Sequence, residues 1–190
     1  MGDTSSGKSS VLSAISGIQF PSNNELTTRC PTQLALNHSA TFSGTIRLVR
    51  YNRIEDEKQD FTILKRPEDI EHEIARLTLK LKDEGQHISD DMISIEVYGP
   101  SYPDLTLLDL PGLVRTVADG EDRSIIPRVR ALVERHLKQE RTIILAVVPA
   151  NVDIHNTEIL QAAKKRIQKA KEPFPSLQNL TWWIQEPRSL

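Results

Sequence analysis

Gly2-Asp3-Thr4-Ser5-Ser6-Gly7-Lys8-Ser9 fits the spacing G-x-x-x-x-G-K-S. Glycines at those places let successive backbone N–H groups turn inward around a phosphate, and the helix that follows presents its positive end to the same anion. Lys8 supplies a point charge between the β- and γ-phosphates of a nucleoside triphosphate, and the Ser9 hydroxyl is a Mg²⁺ ligand. The plainer reading is a Ser/Gly-rich turn that caps a helix and does nothing more. A helix directly downstream and a matching aspartate further on favour the phosphate reading. The same residues satisfy the N-myristoylation spacing through Gly2 and Ser6, a coincidence given that Gly2 already serves the loop.

The matching aspartate lies in Leu107-Leu108-Asp109-Leu110-Pro111-Gly112, where an apolar run ends in a carboxylate and a turn. An Asp there holds Mg²⁺ through water, and the Gly112 N–H donates to a γ-phosphate oxygen. Alone, such a turn is common in any α/β protein; its weight comes from the pairing with the loop at Gly2–Ser9. Between them lies Leu26-Thr27-Thr28-Arg29-Cys30-Pro31, a polar connection of the kind that orders over bound nucleotide. Cys30 reads as a small packed residue, because no histidine has a motif tying it to that position. The five histidines show no metal-ligand spacing.

Four ordered segments carry a family resemblance: Gly2-Asp3-x-Ser5-Ser6-Gly7-Lys8-Ser9-Ser10, Thr28-Arg29-Cys30-Pro31, Asp109-Leu110-Pro111-Gly112 and Val148-Pro149-Ala150-Asn151-x-Asp153. Together they resemble the GTPase domain of dynamin-family large GTPases, with the Thr-Arg-Cys-Pro form closer to the Mx-like branch. The resemblance implies GTP as substrate, Mg²⁺ as cofactor, and nucleotide contacts along Gly2, Asp3, Thr4, Ser5, Ser6, Gly7, Lys8, Ser9 and Ser10. It implies that Ser5 stabilises charge on the bridging oxygen together with a monovalent cation, and that Thr28 binds Mg²⁺ and positions the attacking water. Asp109 and Gly112 then match the second nucleotide-sensing switch. The implied partners are a second G domain paired across the nucleotide, larger homo-oligomers, and membranes or microtubules for full-length relatives.

The sequence departs from the family pattern in several places. Thr4 stands where many members have glutamine. Gly2 follows Met1 directly, where a buried strand is expected, and the family's Thr-Lys-x-Asp guanine-specificity motif occurs nowhere in the chain. No counterpart of the family's helical stalk is present. The expected organisation is a partial G domain over 1–163 and a divergent tail over 164–190. That tail holds the basic run Lys164-Lys165-Arg166-Ile167-Gln168-Lys169-Ala170-Lys171 and the pair Trp182-Trp183. Two rival readings follow: a catalytically inactive fragment that interacts with full-length dynamin-like proteins, and an incomplete gene model.

The elements that must position these residues alternate in type, which predicts an α/β, three-layer P-loop fold with a mostly parallel central sheet, incomplete at both ends. Ser9–Ser16 reads as a helix stopped by Gly17. Alternation over Ser39–Val49 and Met92–Tyr98 predicts strands, and Ile70, Ile74, Leu77 and Leu81 predict a helix ending at Gly85. Leu105–Leu110 reads as a central parallel strand covered on both faces, and Thr142–Val148 as the strongest buried strand. A helix from Ser124 with Ile126, Val129, Val133 and Leu137 on one face is expected to pack on the sheet, and another is expected from Ile159.

Composition sets the outer limits. With 24 Lys and Arg against 26 Asp and Glu among 190 residues, the net charge of −2 argues against bulk electrostatic binding of nucleic acid. A hydrophobic share of 38% suits one globular domain. A single cysteine excludes a disulfide framework and a multi-cysteine zinc site. Without a long apolar run or a leader pattern, the expected location is the cytoplasm.

Overall fold

The computed structural model describes residues 6–21, 30–51, 60–85, 88–112, 123–137 and 143–148. Helix α1 (Lys8–Ser16) leads into strands β1 (Thr32–His38), β2 (Ser43–Val49) and β3 (Phe61–Leu64). Helix α2 (Asp69–Asp83), strands β4 (Met92–Gly99) and β5 (Leu105–Asp109), and helix α3 (Ile125–Leu137) follow. The strands form one sheet in the order β3-β2-β4-β1-β5.

Two local signals set the helices. Gly17 closes α1 in the left-handed region at φ 69°, with its N–H donated to Ser13 O at 2.9 Å. In α2 the buried residues Ile70, Ile74, Leu77, Thr78 and Leu81 recur every three or four positions, with Asp69 and Glu71 in the first turn and Lys80 and Lys82 in the last. That stripe packs against Leu34, Leu36, Ile46, Leu48, Ile93, Ile95 and Val97 of the sheet, together with Leu12 of α1. Each fully buried side chain of this size contributes about 1.5–3 kcal/mol. A second, smaller core lies under α3, where Val129, Leu132 and Val133 pack with Ile88 and Leu110.

The sheet is more mixed than expected. β1 and β4 pair in parallel, whereas β1·β5, β2·β3 and β2·β4 are antiparallel. The reason lies in two short returns that straddle a neighbour. From β1 the chain passes β4 and comes back as β2; the four residues between them span the two strand spacings, about 10 Å, with room to spare. From β4 it passes β1 and returns as β5. Both returns meet at one end of the sheet, where Ser39 N donates to Gly99 O (3.0 Å) and His38 N to Asp104 Oδ1 (2.8 Å). The α/β class stands, but the expectation of a mostly parallel sheet does not hold for the described strands.

Two strand expectations are corrected. Leu105–Asp109 is a strand, yet it runs antiparallel to β1, its one partner among the described strands, and Leu105 and Thr106 are exposed. Residues 143–148 take up no strand, and Ile143 is 92% exposed. Ala146 and Val148 nevertheless pack against the α3 core. Alternation over Ser39–Val49 is realised only from Ser43, and β1 and β3 are strands the sequence reading passed over. The helix expected from Ile159, the basic run and the Trp pair lie outside the described residues. Among the described residues, no helix is long and apolar enough to cross a membrane.

Candidate functional site

The first turn of α1 meets the end of β5. Gly7 precedes the helix at φ 87°, ψ 18°, a left-handed conformation that suits glycine, and its carbonyl accepts the first helical bond from Val11 N at 3.0 Å. Lys8 and Ser6 are each only 8% exposed. Burial of a lysine at a helix N-terminus is costly unless its ammonium is compensated, so the fold invests in placing it here. The Ser6 hydroxyl is buried with no hydrogen-bond partner among the described residues. A buried hydroxyl beside a left-handed glycine and the first-turn N–H groups of a helix is what a phosphate oxygen would satisfy.

Asp109 ends β5 and is 5% exposed. Ser9 Oγ donates to its Oδ2 at 3.4 Å, joining positions 100 residues apart. At that length the direct bond is weak. A hydroxyl and a carboxylate facing each other are hard oxygen donors of the kind Mg²⁺ prefers, so the residues present fit that ion. Leu110, Pro111 and Gly112 continue from Asp109 as buried irregular backbone, Leu110 packing with Val129, Leu132 and Val133 of α3.

The antiparallel register sets Asp109 opposite Thr32, at the start of β1. The segment carrying Thr28 enters β1 through Cys30 and Pro31, whose carbonyl accepts Ile93 N at 2.9 Å. Cys30 is 1% exposed, and burial pushes its thiol up to about 12, with Asp91 and Asp109 adding to the shift against a backbone bond from Ile93. A protonated, enclosed thiol is a packing residue, as the sequence suggested.

Thus Ser9, in the first turn of α1 after Ser6, Gly7 and Lys8, meets Asp109 at the end of β5; Gly112 is buried three residues beyond Asp109, and Ser10 lies exposed on α1. Gly2, Asp3, Thr4, Ser5 and Thr28 lie outside the described residues. Sequence reasoning missed a polar cluster behind the site. Arg50 Nη1 and Nη2 donate to Glu84 Oε2 and Oε1, both at 2.6 Å, and Nη1 also to Asp91 Oδ2 at 2.9 Å. Asp91 Oδ1 accepts Tyr51 N at 2.8 Å. No motif spacing could have revealed it, since Arg50 lies 34 and 41 positions from its two partners.

The Dynamin_N profile, described as "Dynamin family", matches residues 1–175. The interferon-induced GTP-binding protein Mx of Perca fluviatilis is 39% identical over 165 residues, covering 87% of this chain and 53% of that protein. Mx of Epinephelus coioides is also 39% identical over 165 residues (87% and 25%), and human Mx2 is 40% identical over 163 residues (86% and 22%). The chain therefore spans between about a fifth and a half of the length of these relatives. With the family profile matched over residues 1–175, the chain belongs to the dynamin family.

Proposed function

We propose that the chain binds GTP with Mg²⁺ and hydrolyses it. The observation that carries this reading is the meeting of Ser9 Oγ and Asp109 Oδ2 at 3.4 Å, beside buried Lys8 and left-handed Gly7. Family membership supports it, as do relatives whose names describe them as GTP-binding.

In this reading the N–H groups at the start of α1 and the Lys8 ammonium bind the β- and γ-phosphates. Ser9, Asp109 and Thr28 hold the metal, which when bound supplies neutralisation of phosphate charge. Thr28 and the Gly112 N–H orient water and the γ-phosphate, and Ser5 with a monovalent cation stabilises charge on the bridging oxygen. The water oxygen bonds to the γ-phosphorus as the β–γ bridging P–O bond breaks, leaving GDP and inorganic phosphate. Catalysis then comes from positioning and charge stabilisation and needs no strong base. Guanine preference follows from the family, and pairing with a second G domain is the association it favours.

The test is Mg²⁺-dependent binding of a fluorescent GTP analogue to the wild type and to Lys8→Ala, with ATP as competitor. Loss of the charged hydrogen bonds is expected to weaken binding by at least about tenfold. Equal affinity for the two proteins would remove the phosphate-site reading, and displacement by ATP as readily as by GTP would remove the guanine preference.

A further inference from the structure

The cluster behind the site has no role in the chemistry above, yet its connections run toward it. Arg50 follows the last residue of β2, Glu84 follows the last residue of α2, and Asp91 immediately precedes β4. One guanidinium therefore joins the ends of three elements that are remote in sequence. The fork to Glu84 is bidentate, and its side chain is 19% exposed against 33% for Glu84 and 9% for Asp91. Glu84 sits at the negative end of α2, where an uncompensated carboxylate is unfavourable, and the Arg50 pairing holds its acid below the usual carboxylate range.

Asp91 is the inner member. Its own N–H donates to the Ser89 hydroxyl at 3.0 Å while its carboxylate takes Tyr51 N and Arg50. Two residues on, Ile93 N donates to Pro31 O, the bond that fastens the entry of β1 to β4 directly behind Thr32 and its register partner Asp109. α3 is tied to the same stretch. Arg128 Nη2 donates to Ile88 O at 2.7 Å, Arg135 Nη1 to Asp90 Oδ1 at 3.0 Å, and the Arg135 guanidinium lies 4.5 Å from the centre of the Tyr51 ring. Residues 88–91 are thus gripped from both sides.

We propose that Arg50 is a positioning residue for the phosphate site: by holding Asp91 and Glu84 together it fixes the start of β4, and through the Ile93–Pro31 hydrogen bond it fixes the entry of β1 beside Asp109. The inference rests on the phosphate-site reading, but its structural half stands apart from nucleotide. Removing the guanidinium leaves the buried Asp91 carboxylate without its counter-charge and with the Tyr51 N–H alone of the two bonds described, so the 88–91 stretch moves toward water and the Ile93–Pro31 bond loosens.

The experiment compares wild type, Arg50→Met and Arg50→Lys by amide hydrogen exchange and by affinity for a fluorescent GTP analogue with Mg²⁺. In Arg50→Met the Ile93 and Tyr51 amides are expected to exchange about tenfold faster, with amides in the middle of β1 and β4 within about twofold of wild type. Nucleotide affinity is expected to fall about tenfold as well, with Arg50→Lys intermediate, since an ammonium cannot serve both carboxylates with the same fork. Exchange that rises equally in every strand makes Arg50 a general stabiliser and overturns the proposal. So does a local rise in exchange with unchanged affinity. A wild-type chain that binds no nucleotide sinks the phosphate-site reading instead, and the exchange pattern then decides the brace by itself.

Discussion

Gly7 shows how much of the site depends on one dihedral angle. A Cβ built on it meets nothing within 4 Å, so crowding is not what demands glycine there; φ 87° is. Gly7→Ala is expected to cost about 1–2 kcal/mol, the left-handed penalty of an L-residue, read as a lower urea midpoint. If relaxation to a right-handed backbone absorbs the strain, the turn that aims the α1 N–H groups is lost, so nucleotide affinity falls while stability changes little. A variant equal to wild type in both measurements would mean the left-handed turn is dispensable. The residues around it were legible in the sequence because their spacing is local: Gly7, Lys8 and Ser9 are consecutive, and Asp109 ends an apolar run. Arg50, Glu84 and Asp91 were not, because nothing in the neighbourhood of each announces the other two.

Among the elements, the helices were easier to read than the strands. Each helix carries its own stripe and its own stop, as in α2 with Ile70, Ile74, Leu77 and Leu81. A strand's role is set by its neighbours, and these are distant in the chain. The apolar run of β5 looks central until its antiparallel register against β1 is known, and residues 143–148 have strand composition yet form no strand. β1 carries the alternating pair Leu34 and Leu36, but polar Thr32, Gln33, Asn37 and His38 flank it and leave too short an apolar pattern to announce a strand. The close fit of β2 against β4 yields a test at this scale. A Cβ on Gly44 would lie 2.9 Å from Val97 Cγ1 and 3.3 Å from Glu96 O, a backbone atom with little freedom to yield. Gly44→Ala is expected to destabilise by about 1–3 kcal/mol through overpacking, seen in chemical unfolding. An unchanged midpoint would show that β2 can slide away from β4 at no cost.

The whole molecule divides its apolar packing between a large core on the α1–α2 side and a smaller one under α3. His136 lies near the end of α3, with its Nδ1 buried and without a hydrogen-bond partner among the described residues. Burial lowers its pKa from the usual 6.5, Arg135 adds to the effect, and Asp90 opposes it. Below 6.5 the unfolded chain therefore takes up a proton that the folded chain resists, and stability falls as pH drops toward the folded-state value. The depressed Glu84 acts in the same direction further down: its contribution is present above the unfolded carboxylate range and is lost as pH falls through its folded value. The thermal midpoint is thus expected to decline in two stages on acidification from pH 7, and His136→Asn is expected to flatten the first. A midpoint that climbs between pH 7 and 5 would contradict this.

Because β4 sits between β1 and β2, a nascent chain leaving the ribosome holds two consecutive strands with no ladder to share until Met92–Gly99 has been translated. Of the described strands, only β2 and β3 can close on each other before that moment. Leu34, Leu36, Ile46 and Leu48, which end fully enclosed, spend that interval open to chaperones and to other unfinished chains. The interlocked returns that hold the finished sheet together also delay its assembly until β4 and β5 have both been made.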